Sequence, residues 1–384
     1  MSMDAFITGV HDTAVGQLPG SSCMGLHAEA ALGAVADAGL QLSDIDGVLC
    51  AYSFTQPHLM LASVFCEHVG IHPGFCAAIQ AGGASAAIMV MQAAALVASG
   101  QCRHVLAVTG DNRLTGLSRD GAVAALAEVG HPQFERPFGI SVPASYALVA
   151  QRYMHEYGVT PEQLAAIAVE HRRHAARHPK AHMREPIGIE QVMASRPIAT
   201  PLRLLDCCLI SDGGAAVVVS RRETRHDAPA RAIEILGAGQ GHTHEHLIAA
   251  PSLTDFGCKA SSRSAFERAG VSAADIDVAE IYDSFTITLA VELESIGFLE
   301  RGEAGAAAAR GELGLGGRLP CNTHGGLLSY GHSGAAGGMF HVIEAVHQLR
   351  GQAGERQVDG ARLAFVHGDG GILSAHCSLV LGGH

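Results

Sequence analysis

Apolar positions along the 384-residue chain fall into two recurring patterns, short β-branched runs of strand length and longer alanine-rich stretches with helical spacing. One amphipathic alanine-rich segment covers residues 27–38 and stops at Gly39; another covers 261–269 and stops at Gly270, where a helix commonly closes on a left-handed residue. Short apolar strands follow at residues 48–49 and 276–281. The intervening blocks match. Gly39-Leu-Gln-Leu-Ser-Asp-Ile-Asp46 parallels Gly270-Val-Ser-Ala-Ala-Asp-Ile-Asp277, and the runs that follow end in Ser53-Phe54-Thr55 and Ser284-Phe285-Thr286, with one constant offset. Val108-Thr-Gly-Asp111 and Val366-His-Gly-Asp369 form a second echo, each ending a strand after a long helix. Two copies of a β-α-β-α-β unit explain these matches, and the unit is far longer than a solenoid repeat.

The longest apolar run, residues 84–98, carries only Ser85 and Gln92 as polar interruptions and reads as a buried helix. A stretch of different character, about 114–203, is rich in Pro, His and Arg and is expected to be an inserted lid or loop region; a peripheral dimer contact is the other reading. It holds an expected helix at 160–174, with Thr160 as N-cap and Pro161 in the first helical position. A polar linker at 220–229 is expected to divide the chain into an N-terminal half, 1–225, and a C-terminal half, 226–384.

The composition, 48% hydrophobic and 16% charged with 47 glycines, suits an α/β protein packed through small residues. The net charge of -12 and the lack of a basic cluster argue against nucleic acid as a partner. No long uninterrupted apolar segment follows a basic N-terminus, so neither leader nor membrane anchor is expected and the location should be cytoplasmic. Ten scattered cysteines without a CxxC pair read as reduced thiols, mostly core residues. The densest histidine run, residues 242–246, follows Gly237, Gly239 and Gly241 and reads as a solvated or pocket-lining loop; no metal site is expected.

Ligands of parallel α/β sheets gather where strands end and loops enter helices. Three such junctions carry unusual residues. Gly82-Gly83 turns into the buried helix, whose N-terminus could serve an oxyanion or simply require a tight turn. Glu280-Ile-Tyr-Asp-Ser-Phe-Thr286 leaves a strand and starts a helix reaching Gly297; Tyr282 there is either core or site. Asn322 to Gly338 holds six glycines with His324, His332 and Tyr330, for which packing offers no simple explanation.

At these junctions the chain resembles the thiolase superfamily, in its sterol-carrier-protein-x or lipid-transfer-protein branch. Tyr153-Met-His-Glu-Tyr-Gly158, His174-Ala-Ala-Arg-His-Pro179, Asp206-Cys-Cys-Leu-Ile-Ser-Asp-Gly-Gly-Ala215 and Tyr282-Asp-Ser-Phe-Thr286 support the likeness, which spans nearly the whole chain in order. The resemblance implies a five-layered αβαβα fold and a homodimer. It departs from the family pattern at informative places. Gly83 stands where thiolases carry the nucleophilic cysteine, His367 where they carry the second cysteine, and Tyr282 where an Asn or His opens a family motif; Gly331-His332 is retained. Without the nucleophile, ping-pong acyl transfer is not expected.

The pattern is similar to that of thiolase-like aldolases, which cleave a β-hydroxyacyl-CoA without a covalent intermediate. The resemblance implies an acyl-CoA substrate, with coenzyme A entering as part of it, no bound cofactor, and a partner of small OB-fold and zinc-ribbon type. One of Tyr282 and Tyr330 is expected to be the base, its pKa lowered, and the other a relay. His332 and the loop backbone would hold the enolate, with Gly83, His324, Gly326, His367 and Gly370 forming the substrate and oxyanion set. This reading expects no thiol facing His332. Its rivals are an acyltransferase using another cysteine, such as Cys76 or Cys321, and a non-catalytic scaffold that binds acyl-CoA or a partner.

Overall fold

In the computed structural model, residues 4–118, 121, 129–221 and 232–383 are described. The first half runs β1 (Ala5–Asp12), α1 (Cys23–Asp37), β2 (Gly47–Ala51), α2 (Leu61–Val69), β3 (Phe75–Ile79), α3 (Ser85–Ala98) and β4 (His104–Asn112). After α4 (Val142–Tyr157), α5 (Pro161–Ala176) and a small hairpin of β5 (Pro197–Ala199) and β6 (Leu202–Arg203), β7 (Asp212–Arg221) returns to the sheet. The second half runs β8 (Ile233–His242), α6 (Cys258–Ala269), β9 (Val278–Ile281), α7 (Thr286–Ile296), α8 (Ala336–Leu349), β10 (Leu363–Gly370) and β11 (Ala375–Gly382).

Nine strands form one sheet in the order β3-β2-β4-β7-β1-β8-β11-β10-β9. Among the described residues its two parts pair through Phe6 and Ile7 of β1 with Glu234 and Ile233 of β8. Between them lie α3, packed on β4 and β7 and also on β10 and β11, and α8, packed on β1 and β7 and also on β9 and β10. Helices α1 and α2 cover the outside of the first part, α6 and α7 the outside of the second. The layering is therefore αβαβα, as expected. The all-round apolar α3 suits a helix with sheet on both sides, since a helix without a polar face must be buried.

The duplicated sequence has a duplicated physical job. Asp46 accepts the backbone N–H groups of Arg103 and His104, pinning the start of β4 to the block after α1. Asp277 does the same for Arg362 and Leu363 at the start of β10. Gly39 and Gly270 close their helices at φ 70° and 71°. The glycine content also has a use in the outer layers. A Cβ on Gly239 would stand 2.7 Å from Ser264 Cβ and overlap the Ser261 carbonyl, so α6 lies on the backbone of β8 itself.

Several expectations shift. The N-cap of α5 is Thr160 as read, closed into a capping box with Gln163. Ser220 is a buried residue of β7, bonded to Thr8 and His104, and Arg221 ends that strand, so the polar linker does not begin there; the rest of it, residues 222–229, lies outside the described residues. Parts of the 114–203 region, 119–120 and 122–128, lie outside them too. Cys76 is not core: β3 is an edge strand and the residue is exposed, its Sγ 3.7 Å from Cys66 Sγ of α2. Among the described residues no helix is long and apolar enough to cross a membrane.

Gly239→Ala should lower stability by about 1–3 kcal/mol through overpacking against α6. Urea unfolding measures it, and an unchanged midpoint would contradict the close approach.

Candidate active site

Two backbone turns form the floor of a cavity of about 270 Å³. Gly82, at φ 56°, leads from β3 toward α3, and a Cβ there would lie 2.7 Å from Gly370 Cα and 2.8 Å from Gly371 N in the β10–β11 turn. Tyr282 enters just past β9, and His332 from the loop ahead of α8. The duplicated Phe54 and Phe285 both line the cavity. Strand ends from both sheet parts thus converge on one space.

At its centre the Tyr282 hydroxyl stands 3.1 Å from His332 Nε2. The space that would hold a side chain at position 83 is filled: a Cβ on Gly83 would overlap Cζ and the hydroxyl of Tyr282 and the Asp369 carbonyl. The phenol occupies the position from which a cysteine at 83 would work. Burial, reinforced by Tyr52, Cys208 and Asp369, pushes the Tyr282 pKa well above the usual phenol value, and Arg113 offsets this only in part. Burial, with Arg113 and His341, holds His332 well below the ordinary imidazole value. Both groups are therefore neutral. The expected lowering of the Tyr282 pKa is not found, because desolvation outweighs the charge of Arg113.

On the other side of His332, Nδ1 lies 3.1 Å from Cys208 Sγ. This corrects the expectation that no thiol faces His332. Burial pushes the Cys208 thiol up to about 12, Arg113 offsetting and Asp283 reinforcing it, so the pair is a neutral thiol beside a neutral imidazole. An activated cysteine shows the opposite shift. Arg113 is buried against the Phe54 ring, 4.6 Å from its centroid, and lines the cavity. Its Nε has no hydrogen-bond partner among the described residues. Tyr146 closes one wall and donates its hydroxyl proton to Asp369 Oδ2 at 2.9 Å.

Of the residues expected at the site, Gly83, Tyr282, His332 and Gly370 come together on the cavity wall. Tyr330 does not. Its ring packs against His178, His324 and Phe340, and its hydroxyl donates to the Asp12 carboxylate, which is ion-paired with Lys180. His324 is buried with Nδ1 2.9 Å from Glu280 Oε2. Gly326 starts a short helix whose Leu327 N–H donates to Asp283, and a Cβ on it would overlap that carboxylate. His367 lies under the sheet, bonded to Ser378 and His376. These four hold polar layers behind the cavity, since alternate residues of a strand face opposite sides and the loop reverses between Tyr330 and His332. Cys321 is fully buried, so neither Cys321 nor the exposed Cys76 belongs to the cavity wall.

Arg113, Cys208, Tyr146 and Asp369 were not singled out from sequence. Arg113 and Asp369 sit at the ends of β4 and β10, where the strand-end rule could have found them. Cys208 falls in the Asp206–Ala215 motif, but nothing local assigns it to the site, because its partner lies 124 residues away.

Comparison with known proteins identifies the fold. Residues 5–223 match the family described as Thiolase, N-terminal domain, and residues 239–383 match Thiolase C-terminal domain-like. An acetyl-CoA acetyltransferase of Methanothermobacter thermautotrophicus is 34% identical, over 97% of this chain and 98% of its own. A steroid side-chain-cleaving aldolase of Thermomonospora curvata is 36% identical over 95% of each chain. The solved Ltp2-ChsH2(DUF35) aldolase superposes with a TM-score of 0.88 at 35% identity, covering 100% of this chain and 98% of its own.

The shared space of residues 83 and 282 has a measurable consequence. Gly83→Cys should destabilise the chain by about 1–3 kcal/mol, and the part of that loss due to the phenol should disappear when Tyr282→Gly is added, while the part due to the Asp369 carbonyl remains. Additive losses in a double-mutant cycle of thermal unfolding would refute the overlap.

Proposed function

The chain belongs to the thiolase family, and on that premise we propose that it cleaves the Cα–Cβ bond of a β-hydroxyacyl-CoA by a retro-aldol step without a covalent intermediate. The observation that carries this reading is the phenol of Tyr282 standing in the space of the missing nucleophile, hydrogen-bonded to a neutral His332. The similarity to a steroid side-chain-cleaving aldolase supports it.

In the proposed reaction the β-hydroxyl proton passes to the Tyr282 oxygen while the phenolic proton moves to His332 Nε2. A carbonyl forms at Cβ, the Cα–Cβ bond breaks, and its electron pair enters the thioester as an enolate. The same pair returns a proton to Cα, releasing a ketone or aldehyde and a shorter acyl-CoA. A relay of this kind needs no pre-formed phenolate, which fits the raised pKa of Tyr282. Arg113 and the backbone at Gly83 and Gly370 would meet the enolate oxygen, where pre-placed donors act most strongly. The walls supplied by Val142, Pro143 and Ile198 support a lid role for the 114–203 region. We propose a second copy of this chain and a small OB-fold, zinc-ribbon chain as partners; the exposed edge strand β3 supports the former and the likeness to Ltp2-ChsH2(DUF35) the latter.

A second reading is favoured by one observation, the Cys208 thiol 3.1 Å from His332, and by the similarity to an acetyl-CoA acetyltransferase: covalent acyl transfer through Cys208. The raised thiol pKa weighs against it.

Tyr282→Phe should reduce cleavage by about 10²–10⁴-fold with the circular dichroism spectrum unchanged, whereas Cys208→Ser should stay within about tenfold of the parent. The reverse ranking, measured on one β-hydroxyacyl-CoA, would transfer the chemistry to the thiol. His332 must be neutral to accept the phenolic proton, and its folded pKa is depressed, so activity should be lost only when pH falls well below the ordinary ~6.5. A kcat/KM profile already falling through pH ~6.5 would contradict this.

A further inference from the structure

Two fully buried groups of carboxylate and imidazole lie behind the cavity, Glu280 with His324 and His341, and Glu292 with His367 and His376. They balance charge differently. In the first, His341 is set between two carboxylates, its ring nitrogens 3.4 Å from Glu280 Oε2 and 3.4 Å from Asp283 Oδ1. An imidazolium bridging two acids balances the charge of that group, while Nε2 of His324 stands beside it without a hydrogen-bond partner among the described residues. The second has no such cation. No lysine or arginine among the described residues pairs with Glu292, and neither of its oxygens has a hydrogen-bond partner.

Hydrogen bonding around the second group fixes the tautomer of His376, which donates from Nε2 to the Leu373 carbonyl at 2.9 Å and keeps a lone pair on Nδ1. Ser261 Oγ lies 2.9 Å from the Cys258 carbonyl and 3.0 Å from Ser378 Oγ, and either serine can donate to the other. When Ser378 donates to Ser261 it accepts at 2.8 Å from Nδ1–H of His367, and His367 Nε2 then presents a lone pair 3.1 Å from His376 Nδ1, as two ligands of one ion do; when Ser378 donates to His367 instead, Nε2–H donates to His376. Glu292 Oε1 stands 3.7 Å from His367 Nε2 and 3.9 Å from His376 Nδ1. Asp369 Oδ1, also without a hydrogen-bond partner, lies 3.9 Å from His376 Nδ1.

A carboxylate such as that of Glu292, buried with no hydrogen-bond partner on either oxygen, is costly to leave uncompensated. Bonds of 2.0–2.1 Å at a tetrahedral centre hold ligand atoms ~3.3 Å apart, and the three donor atoms here are separated by 3.1, 3.7 and 3.9 Å. His376 gives its remote N–H to a fixed carbonyl, and Ser378 can accept that of His367, the outer-shell arrangement that orients metal-binding histidines. We propose that Glu292, His367 and His376 bind a divalent cation of the zinc class, with Asp369 beside them as the second negative charge. The ion's two charges are neutralised by the two carboxylates while both imidazoles stay neutral. Because Asp369 also lines the cavity, the site anchors the Asp369-Gly370-Gly371 wall from behind. This departs from the expectation of no metal and is independent of the reaction proposed above.

The test uses the full chain, purified alone and without a histidine tag from zinc-supplemented medium, with metal measured by inductively coupled plasma mass spectrometry. About one zinc per chain is expected, falling below about a tenth in Glu292→Gln and in His376→Gln. Zinc below about a tenth per chain in the parent overturns the proposal, as does stoichiometric zinc that survives in both variants. Ligand removal can unfold a chain, so Ser378→Ala serves as a second probe that keeps all three donors. Chelator competition should then show zinc held about 10–100-fold more weakly. An affinity equal to the parent's would overturn the role of Ser378 as acceptor and the site with it.

Discussion

Contact of backbone with backbone at the β3–α3 turn is the constraint on which the cavity depends. Gly82 lies against Gly370 and Gly371, and a Cβ on Gly338 of α8 would stand 2.5 Å from the Gly83 carbonyl. With no side chain at these points, the ends of β3 and β10 close onto the middle helices, and the space at residue 83 is left for the phenol of Tyr282. Absence of a thiol and presence of a phenol are thus one packing fact. No side chain can enter at 83 unless the phenol leaves.

Burial then sets the electrostatic character of the site. Desolvation favours the uncharged forms of Tyr282, His332 and Cys208, so phenol, imidazole and thiol are all neutral, and Arg113 lines the cavity beside them. Such a site is poorly suited to a thiolate–imidazolium pair. It suits a proton relay whose developing negative charge falls on the substrate's oxygen, close to a guanidinium that gives little stabilisation in the resting state. The same burial produces the contrast between the two acid–imidazole clusters. Where His341 can take a proton between two carboxylates the charges close locally, whereas Glu292 has no hydrogen-bond partner and the proton of His376 is already given to the Leu373 carbonyl.

Much of the architecture was legible along the chain. The duplicated Asp-Ile-Asp blocks, the closing glycines, the N-cap at Thr160 and the apolar run of α3 each depend on neighbours within a few residues, so local periodicity reports them faithfully. The three junctions were legible as well, because strand ends of an α/β sheet gather at one edge whatever the details.

Which side chains of those junctions reach the cavity was decided only by the tertiary structure. Tyr330 and His332 are two residues apart, yet one turns back to Asp12 and the other meets Tyr282. Cys76 lies in a strand pattern that looked internal, but its strand is an edge. Cys208 reaches His332 across 124 residues of chain, and His367 serves a buried polar cluster although its place in the sequence pointed to the site. The amino-acid order determines which elements form and where they end, through interactions of short range. Side-chain direction, burial and protonation arise from elements distant in sequence pressing on one another, and no local pattern carries that information.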